Sequence, residues 1–541
     1  MSVRLAAILG LLCFALMPLG VLADTVDQAP SNIEPTQTSL AAVLRHFKTA
    51  QGRSDKEFSS YSQDWRVVER GLEGTYREVG LSEDYSAAMI LGPFVTRAGR
   101  RHGQSWSQNE NGLTIKRQGI HQRTDISERA LEYALDHPEN PGPGVRLLGQ
   151  SSSPEGAYVM ELKPPGGRLE WLFFDQKTGL VVREEEVVAE RRETTTYDDY
   201  RPVDGQNIAW HFHSSDGRPL NDGDWTLTSM AHDVKIAASD LDIPPDARRL
   251  VEFPAGTSRV RLPAQIIRGR IYVRITIDGR GLDFLLDSGA SGIALDSTVA
   301  NELHLPTLGK ATQTIAGTFD RSKAVVPLIR VGDLSMRNVV VSTLPFEANT
   351  LVSTKIVGLL GFDFLDSAVI RIDYEHGTVD AMDPSQFTPP DNAKPFNVAL
   401  DDGVPFCSAV LGNQRGEHFL LDTGSSFVVV FSEFANEHPS AVADMGGGRA
   451  ERIASPDFHG IGVGGNVQQL PVEVSDLQFG GVDFGRQMIY LTHSARALEG
   501  EDEDGLIGSP ILQYFNVFLD YGRGRVLLQK NALLLSQKGS R

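Results

Sequence analysis

Two aspartates in this chain follow apolar runs and stand where the chain must turn. The first copy reads Phe-Leu-Leu-Asp-Ser-Gly over residues 284–289, and the second reads Phe-Leu-Leu-Asp-Thr-Gly over residues 419–424. Two carboxylates held about 3 Å apart cannot both ionise cheaply, so they share one proton. The ionised group can then act as a general base on a bound water, while the protonated group polarises a carbonyl. The pattern therefore predicts acid–base hydrolysis by Asp287 and Asp422.

The two copies also share landmarks farther along the chain. Each aspartate is followed by an apolar segment that ends in glycine, Gly361 in the first copy and Gly508 in the second. Ile-Asp-Tyr at 372–374 and Leu-Asp-Tyr at 519–521 then follow their glycines at equal spacing. Landmarks in a fixed order indicate duplication of a structural unit. A plain turn, in which Asp caps its own backbone and Gly takes positive φ, explains one motif but not two with matched landmarks.

These residues resemble the retropepsin-like aspartic proteases, in particular exported bacterial proteins with tandem aspartyl protease repeats. The resemblance covers about residues 260–385 and 396–530. It implies an aspartic-type endopeptidase that acts on a peptide or protein substrate with no cofactor and no metal. The matching positions are the catalytic Asp287 and Asp422 and the dyad-supporting Ser288, Gly289, Thr423, Gly424, Ser425, Gly361 and Gly508.

The resemblance also assigns roles to the supporting residues. Ser288 and Thr423 match the hydroxyls that brace the two catalytic loops against each other. Gly361 and Gly508 match the segment that packs behind each loop. Ser425 matches an outer hydrogen-bond partner of its aspartate.

Two departures from the family pattern fall in the first copy. Ala290 stands where the second copy has Ser425, and Val357 stands where the second copy has Asp504. If one half is catalytically weakened, these differences point to the first. The alternative function is therefore a periplasmic binding or chaperone-like protein that has lost turnover and holds peptide or lipidated clients.

A glycine-rich stretch over residues 460–465 has the spacing of a nucleotide-binding loop but lacks the strand before it and the helix after it. By position it corresponds to the flap, the hairpin that closes over substrate in this family. The matching stretch in the first copy is 315–319. Gly462 and Gly317 are the flap candidates.

The expected fold class is mostly β: two retropepsin-like β lobes in tandem form a pseudo-two-fold acid-protease domain, preceded by an α+β antiparallel-sheet domain. Apolar runs beside the motifs predict the buried strands that hold the loops. Prolines at 244–245 and 389–390 mark the boundaries. The expected segments are a signal peptide (1–23), an N-terminal domain (24–245), lobe 1 (258–386), lobe 2 (394–531) and a tail (532–541). One chain then holds both aspartates, which favours a monomer, although pairing of repeats across chains stays open.

The N-terminal domain has a different sequence pattern. Thr38-Ser39 opens a predicted helix whose residues Leu40, Val43, Leu44 and Phe47 share one face, with Gly52 as its stop. Alternating strands and tight turns follow. This succession resembles the periplasmic lipoprotein-carrier fold, which implies lipid or acyl-chain contact on a concave sheet. A scaffold or substrate-docking role is the alternative.

Near the N-terminus Arg4 precedes an uncharged apolar run from Leu5 to Leu22, and small residues follow before Asp24, which is the pattern of a secretory signal peptide. This predicts an exported protein, periplasmic or secreted, with a retained membrane anchor as the alternative. The net charge of −19 makes nucleic acid a poor partner. His211 and His213 share a strand face, but two ligands without a further Cys or carboxylate cluster make a weak metal site.

Overall fold

The computed structural model describes residues 28–52, 58–116, 122–188, 191–314, 318–346, 355–401, 403–442, 459–462, 465–492 and 503–538. The predicted signal peptide lies outside these ranges. The helices are α1 (Leu40–Gln51), α2 (Gln122–Asp136), α3 (Ser297–Glu302), α4 (Phe362–Ser367), α5 (Ser432–Glu437), α6 (Ser509–Leu512) and α7 (Ala532–Lys538), with single 3-10 turns at Ala238–Leu241 and Tyr521–Arg523. Within the described ranges, every helix is too short or too polar to span a bilayer.

The chain divides into two compact units. Unit 1 comprises Met1–Glu110, Gly119–Pro244 and Gly309–Gln313, and unit 2 comprises Asn111–Gln118, Pro245–Leu308 and Thr314–Arg541. One division falls between Pro244 and Pro245, in the proline-bearing linker. Both catalytic candidates belong to unit 2.

Unit 1 is built mainly from antiparallel strands. In chain order the first strands are β1 (Ile33–Glu34), β2 (Ser60–Glu69), β3 (Leu72–Leu81), β4 (Asp84–Leu91), β5 (Phe94–Arg101), β6 (Gln104–Gln108), β7 (Thr114–Lys116), β8 (Val145–Ser152), β9 (Glu155–Leu162), β10 (Glu170–Asp175), β11 (Val181–Val188), β12 (Arg191–Val203), β13 (Gln206–Ser215) and β14 (Gly223–His232). Strand β7 belongs to unit 2. The others lie in the order β1-β8-β9-β10-β11-β12-β13-β14-β2-β3-β4-β5-β6.

Helix α1 confirms the prediction made for this segment. Ser39 caps its first turn by accepting the N–H of Ala42 at 3.2 Å, and Gly52 ends it in a left-handed conformation with φ of 69°. Its apolar face is buried in the core of unit 1 with Trp65 and Phe212, and the buried helix residues are Val43, Leu44 and Phe47.

Unit 2 contains the remaining strands, apart from residues 309–313, which belong to unit 1. The first set is β15 (Val251–Glu252), β16 (Arg259–Arg261), β17 (Ala264–Ile267), β18 (Arg270–Ile277), β19 (Arg280–Leu286), β20 (Ile293–Asp296), β21 (Thr307–Thr314), β22 (Thr318–Val331), β23 (Leu334–Leu344), β24 (Gly358–Leu360), β25 (Val369–Asp373) and β26 (Thr378–Met382). The second set is β27 (Lys394–Phe396), β28 (Val398–Asp401), β29 (Val404–Leu411), β30 (Gln414–Leu421), β31 (Val428–Phe431), β32 (His459–Gly462), β33 (Gly465–Val474), β34 (Leu477–Phe479), β35 (Val482–Asp483), β36 (Gln487–Thr492), β37 (Gly505–Ile507), β38 (Phe515–Asp520) and β39 (Arg525–Lys530).

Two sheets of unit 2 share one pairing order. The sheet that carries the first motif runs β23-β20-β24-β19-β18 through its centre, and the sheet that carries the second runs β36-β31-β37-β30-β29. We call these sheets the first and second lobe. In both, the strand before the aspartate pairs in parallel with the strand that ends before the landmark glycine. The strands around the two aspartates are thus arranged in the same order.

A third sheet joins the two halves, in the order β16-β26-β25-β38-β39-β27. Its centre is the antiparallel pair β25–β38, in which Ile370 lies opposite Leu519 and Ile372 lies opposite Val517. The Ile-Asp-Tyr and Leu-Asp-Tyr landmarks therefore lie in the strands that connect the halves. The predicted fold class is confirmed, since a mostly β protease-like domain follows a β-rich N-terminal part.

Candidate active site

Each candidate aspartate lies in a loop directly after a buried strand. Strand β19 leads to Asp287, whose N–H donates to the carbonyl of Leu360 at 3.1 Å. Strand β30 leads to Asp422, whose N–H donates to the carbonyl of Ile507 at 3.0 Å. The neighbouring parallel strand thus fixes the backbone of both aspartates in the same way.

Four hydrogen bonds made by Ser288 and Thr423, two of them between these residues, tie the two loops together. The Ser288 hydroxyl donates to the carbonyl of Leu421 at 2.6 Å and accepts the N–H of Thr423 at 2.9 Å. The Thr423 hydroxyl donates to the carbonyl of Leu286 at 3.0 Å and accepts the N–H of Ser288 at 3.0 Å. Both residues are fully buried, so each polar atom is satisfied by the opposite loop. This is the brace that the resemblance implied for these positions.

Glycine is required after each Ser or Thr because the opposite aspartate lies close to its backbone. Gly289 donates its N–H to Asp287 Oδ1 at 2.9 Å, and Gly424 donates to Asp422 Oδ1 at 2.7 Å. A Cβ on Gly424 would lie 2.7 Å from Asp287 Cγ, which would be a clash. A Cβ on Gly289 would lie 3.3 Å from Asp422 Cγ and 3.3 Å from Asp287 Oδ1. The two carboxyl groups are therefore neighbours.

The environment favours a shared proton. The carboxyl groups of Asp287 and Asp422 are close enough that each influences the pKa of the other. Burial raises the pKa of both groups, and the charge of Asp422 raises the pKa of Asp287 further. Hydrogen bonds from Gly424 and Asp287 oppose the rise at Asp422, which makes Asp422 the better-stabilised anion. Both residues keep partial solvent exposure, as a group that binds water must.

The landmark glycines pack directly behind the loops. A Cβ on Gly361 would lie 2.4 Å from the carbonyl oxygens of Ala290 and Gly292. A Cβ on Gly508 would lie 2.2 Å from the carbonyl oxygen of Phe427. Any larger residue would push the loop, and with it the carboxylate, out of position.

The backbone N–H of Ser425 hydrogen-bonds the Asp422 carboxyl group and lowers its pKa, while the Ser425 hydroxyl bonds within its own loop. Its hydroxyl donates to the carbonyl of Phe427 at 3.2 Å and accepts the N–H of the same residue at 3.1 Å. It therefore closes a small turn within its own loop instead of binding the Asp422 carboxylate through the side chain. Ala290 lacks this hydroxyl, so the first loop must be supported in another way.

That support comes from Asp363, which sequence reasoning missed. The Asp363 Oδ2 accepts the N–H of Ile293 at 3.0 Å, and a Cβ on Gly292 would lie 3.0 Å from the same oxygen. The second lobe has Pro510 at the corresponding place in its helix. The available signal was one acidic residue between Phe362 and Phe364 at the start of a buried helix.

The second departure lies away from the dyad. Val357 and Asp504 make equivalent backbone hydrogen bonds to the strand before each aspartate. The N–H of Val357 donates to the carbonyl of Asp283 at 3.0 Å, and the N–H of Asp504 donates to the carbonyl of His418 at 3.1 Å. The Asp504 carboxylate accepts the N–H of His418 at 2.9 Å. The Asp504 side chain thus adds a contact to strand β30 at His418, away from the loop that carries Asp422.

Residues 273–364 match the aspartyl protease family model. The matched range contains the first motif and Gly361 and ends before the second motif, which geometry alone connects to the site. A comparison with curated proteins found no match. The aspartyl protease-like domain thus rests on the family match and on the paired loops.

Two solved structures are similar to parts of the chain. A DUF1329 family protein from Desulfovibrio piger is 13% identical with a TM-score of 0.27, covering 37% of this chain and 97% of that one. A LolA superfamily protein from Nitrosomonas europaea is 14% identical with a TM-score of 0.27, covering 38% of this chain and 98% of that one. Likenesses this distant carry no argument about ligands.

The flap candidates are only partly described. Gly462 ends strand β32, which pairs with β33 in a hairpin where His459 lies opposite Gln468. Gly317 lies outside the described residues, between the paired strands β21 and β22. The hairpin positions match in the two lobes.

The histidine pair has carboxylate partners. His211 Nδ1 lies 2.9 Å from Asp198 Oδ1, and His213 Nδ1 lies 3.1 Å from Asp224 Oδ1. In the described part of the chain no group of three or more His, Cys, Asp or Glu residues is arranged to hold a metal ion.

Proposed function

We propose that this protein is an aspartic endopeptidase whose single active site is formed by Asp287 and Asp422 of one chain. The observation that carries the proposal is the reciprocal bonding of Ser288 and Thr423, which holds the two carboxyl groups side by side. Because its pKa is raised, the Asp287 carboxyl group can hold the proton that the pair must share.

In the proposed cycle a water lies between the carboxyl groups and faces the scissile carbonyl carbon. Asp422 takes a proton from the water as its oxygen bonds to that carbon, and Asp287 donates its proton to the carbonyl oxygen. The tetrahedral intermediate then collapses. The proton on Asp422 passes to the amide nitrogen, the C–N bond breaks, and Asp287 recovers a proton from one hydroxyl. The products are a carboxylic acid and an amine, and the dyad again holds one proton.

The tandem arrangement supports one site per molecule. The shared sheet links the halves through the β25–β38 pair, so a partner chain is not needed to bring the loops together. A monomer is therefore the proposed active form. The signal sequence pattern further supports an exported, periplasmic enzyme, which cell fractionation of the full-length protein would test.

Cleavage of a peptide library by purified protein tests the proposed activity. Asp287→Asn and Asp422→Asn keep the shape of the side chain but cannot exchange the proton, so each should lower the rate by about 10²–10⁴-fold or more. Asp278→Asn is a matched control, because Asp278 occupies an exposed turn with φ of 49° that Asn also adopts. Full activity in either dyad variant would refute the proposal, and peptide binding without cleavage by the wild type would favour the binding-protein alternative.

A further inference from the structure

The hairpin before the first motif brings a positive charge to the dyad. Strands β17 and β18 are joined by Arg268 and Gly269, both with positive φ, at 51° and 81°. Ile267 pairs with Arg270 across this two-residue turn. Arg270 is therefore the first residue of strand β18, with its backbone fixed by the hairpin.

The register of the next pair places Arg270 opposite the catalytic loop. Strand β18 pairs with β19 so that Val273 lies opposite Phe284 and Tyr272 lies opposite Leu285. The pairing ends at Tyr272 and Leu285, and the same register continued for two more residues leads Arg270 toward Asp287. Because side chains alternate along strands, Arg270 shares the face of Tyr272, and Asp287 shares the face of Leu285.

The turn also contacts the second catalytic loop. The Ser426 hydroxyl donates to the carbonyl of Arg268 at 3.3 Å. A Cβ on Gly269 would lie 2.0 Å from Ser509 Oγ, so the backbone of the turn packs closely on the second lobe. Arg270 is thus held between the loop of Asp287 and the loop of Asp422. Consistent with this placement, its positive charge lowers the pKa of both aspartates, against the rise that burial causes.

The guanidinium of Arg270 has neither a hydrogen-bond partner nor an ion-pair partner among the described residues. Its Nε is buried without a hydrogen bond, and the side chain forms no ion pair with either aspartate or with any other described carboxylate. An arginine cannot shed its proton, so a buried donor of this kind requires an acceptor. The residue as a whole is only half-buried, so part of its side chain keeps contact with solvent.

The other lobe has an apolar residue at the equivalent place. Asp401 pairs with Val404, as Ile267 pairs with Arg270. Strand β29 pairs Phe406 with Leu420, and the same register continued for two more residues leads Val404 toward Asp422. The two halves therefore differ in charge at matched positions beside the dyad.

From this asymmetry we propose that Arg270 is a specificity-determining residue that binds an acidic side chain of the substrate next to the scissile bond. The guanidinium fork matches a carboxylate with two parallel hydrogen bonds. The inference rests on the proposed protease function and adds its substrate class: peptides with Glu or Asp on one side of the cleaved bond.

A set of peptides that differ only by Glu, Gln or Lys at each position around one cleavage site tests the inference. The wild type should prefer Glu over Gln by about ten- to a hundredfold in kcat/KM at one position, because a hydrogen bond to a charged group has that strength. Arg270→Gln should remove the preference, Arg270→Lys should keep part of it, and Arg270→Glu should reverse it toward Lys. Arg268→Asn removes the same charge from the exposed turn and should leave the preference unchanged.

Two results would overturn the inference. One is equal cleavage of the three peptides by the wild type. The other is an Arg270→Gln chain that keeps the preference while its rate falls equally for all peptides, which would make Arg270 only an electrostatic neighbour of the dyad. Binding of the same peptides to the Asp287→Asn chain, with and without Arg270→Gln, separates the two proposals. If no chain cleaves peptides, an Arg270-dependent affinity for Glu still supports the inference, and its absence refutes it.

Discussion

Ser288 and Thr423 lie 135 positions apart in the chain, yet each donates its hydroxyl to the other's loop and accepts the other's N–H. Neither residue contributes an atom to the proposed reaction. Their bonds set the separation of the carboxyl groups, because each residue directly follows its aspartate. The brace therefore connects the stability of the paired lobes to the geometry of the dyad.

Removing one hydroxyl of this brace should cost both stability and rate. Ser288→Ala and Thr423→Val each leave buried backbone groups without a partner, at a cost of about 1–3 kcal/mol in the free energy of unfolding. Denaturant unfolding and peptide cleavage measure the two effects. Ser291→Ala removes an exposed hydroxyl from the same loop and should leave the stability unchanged. Normal stability in both brace variants would show that the bonds between the loops contribute nothing.

Asp363 should hold the first loop in place only by accepting the hydrogen bond from the Ile293 N–H. Asp363→Ala leaves the Ile293 N–H without its partner and opens a small cavity, so we expect a loss of about 1–3 kcal/mol and a lower kcat. Asp363→Asn keeps an acceptor oxygen and should recover most of both. If the alanine and asparagine variants behave alike, the contact with Ile293 does not hold the loop.

The motifs and their supports could be predicted from sequence, whereas the contacts that complete the site could not. Asp, Ser or Thr, and Gly occur in fixed local order, and the landmark glycines recur in the same order in both copies, so local pattern was sufficient. Asp363 and Arg270 act through residues distant in the chain or through strand register, which no local pattern contains. The direction of the Ser425 hydroxyl, which bonds to Phe427, could not be predicted either, because a family match gives a residue's position but not the direction of its side chain.

The pH dependence of cleavage should follow the proton shared by the dyad. Activity should fall in acid as Asp422 is protonated, and it should fall at higher pH as Asp287 loses its proton. Because burial and the charge of Asp422 raise the pKa of Asp287, the second fall should lie above the usual range of a carboxyl group. We expect a bell-shaped profile of kcat/KM with its optimum below neutral pH, together with inhibition by a statine-type transition-state mimic. A flat profile into alkaline pH, or inhibition by chelators, would contradict the dyad.

The last prediction concerns how the two aspartates meet. If both come from one chain, the activity per molecule should not change on dilution. If each repeat pairs with a repeat of another chain, dilution should lower it as dimers dissociate. The covalent connection between the halves favours the first result. It keeps the two lobes of one chain at a high effective concentration relative to each other, and a lobe from a second chain would have to compete with that. The shared β25–β38 pair adds backbone hydrogen bonds to that link.

Mixing the two inactive variants decides between these arrangements. Asp287→Asn and Asp422→Asn chains each lack one member of the dyad, so a site built within one chain stays inactive in the mixture. Sites built between chains would regain an intact pair in a fraction of the dimers, and activity would return with time and concentration. The control is a mixture of either variant with the Asp278→Asn chain, which should show only the activity of the latter. Recovered activity in the first mixture would mean that the aspartates meet across molecules, and the contacts between Ser288 and Thr423 would then have to form between chains as well.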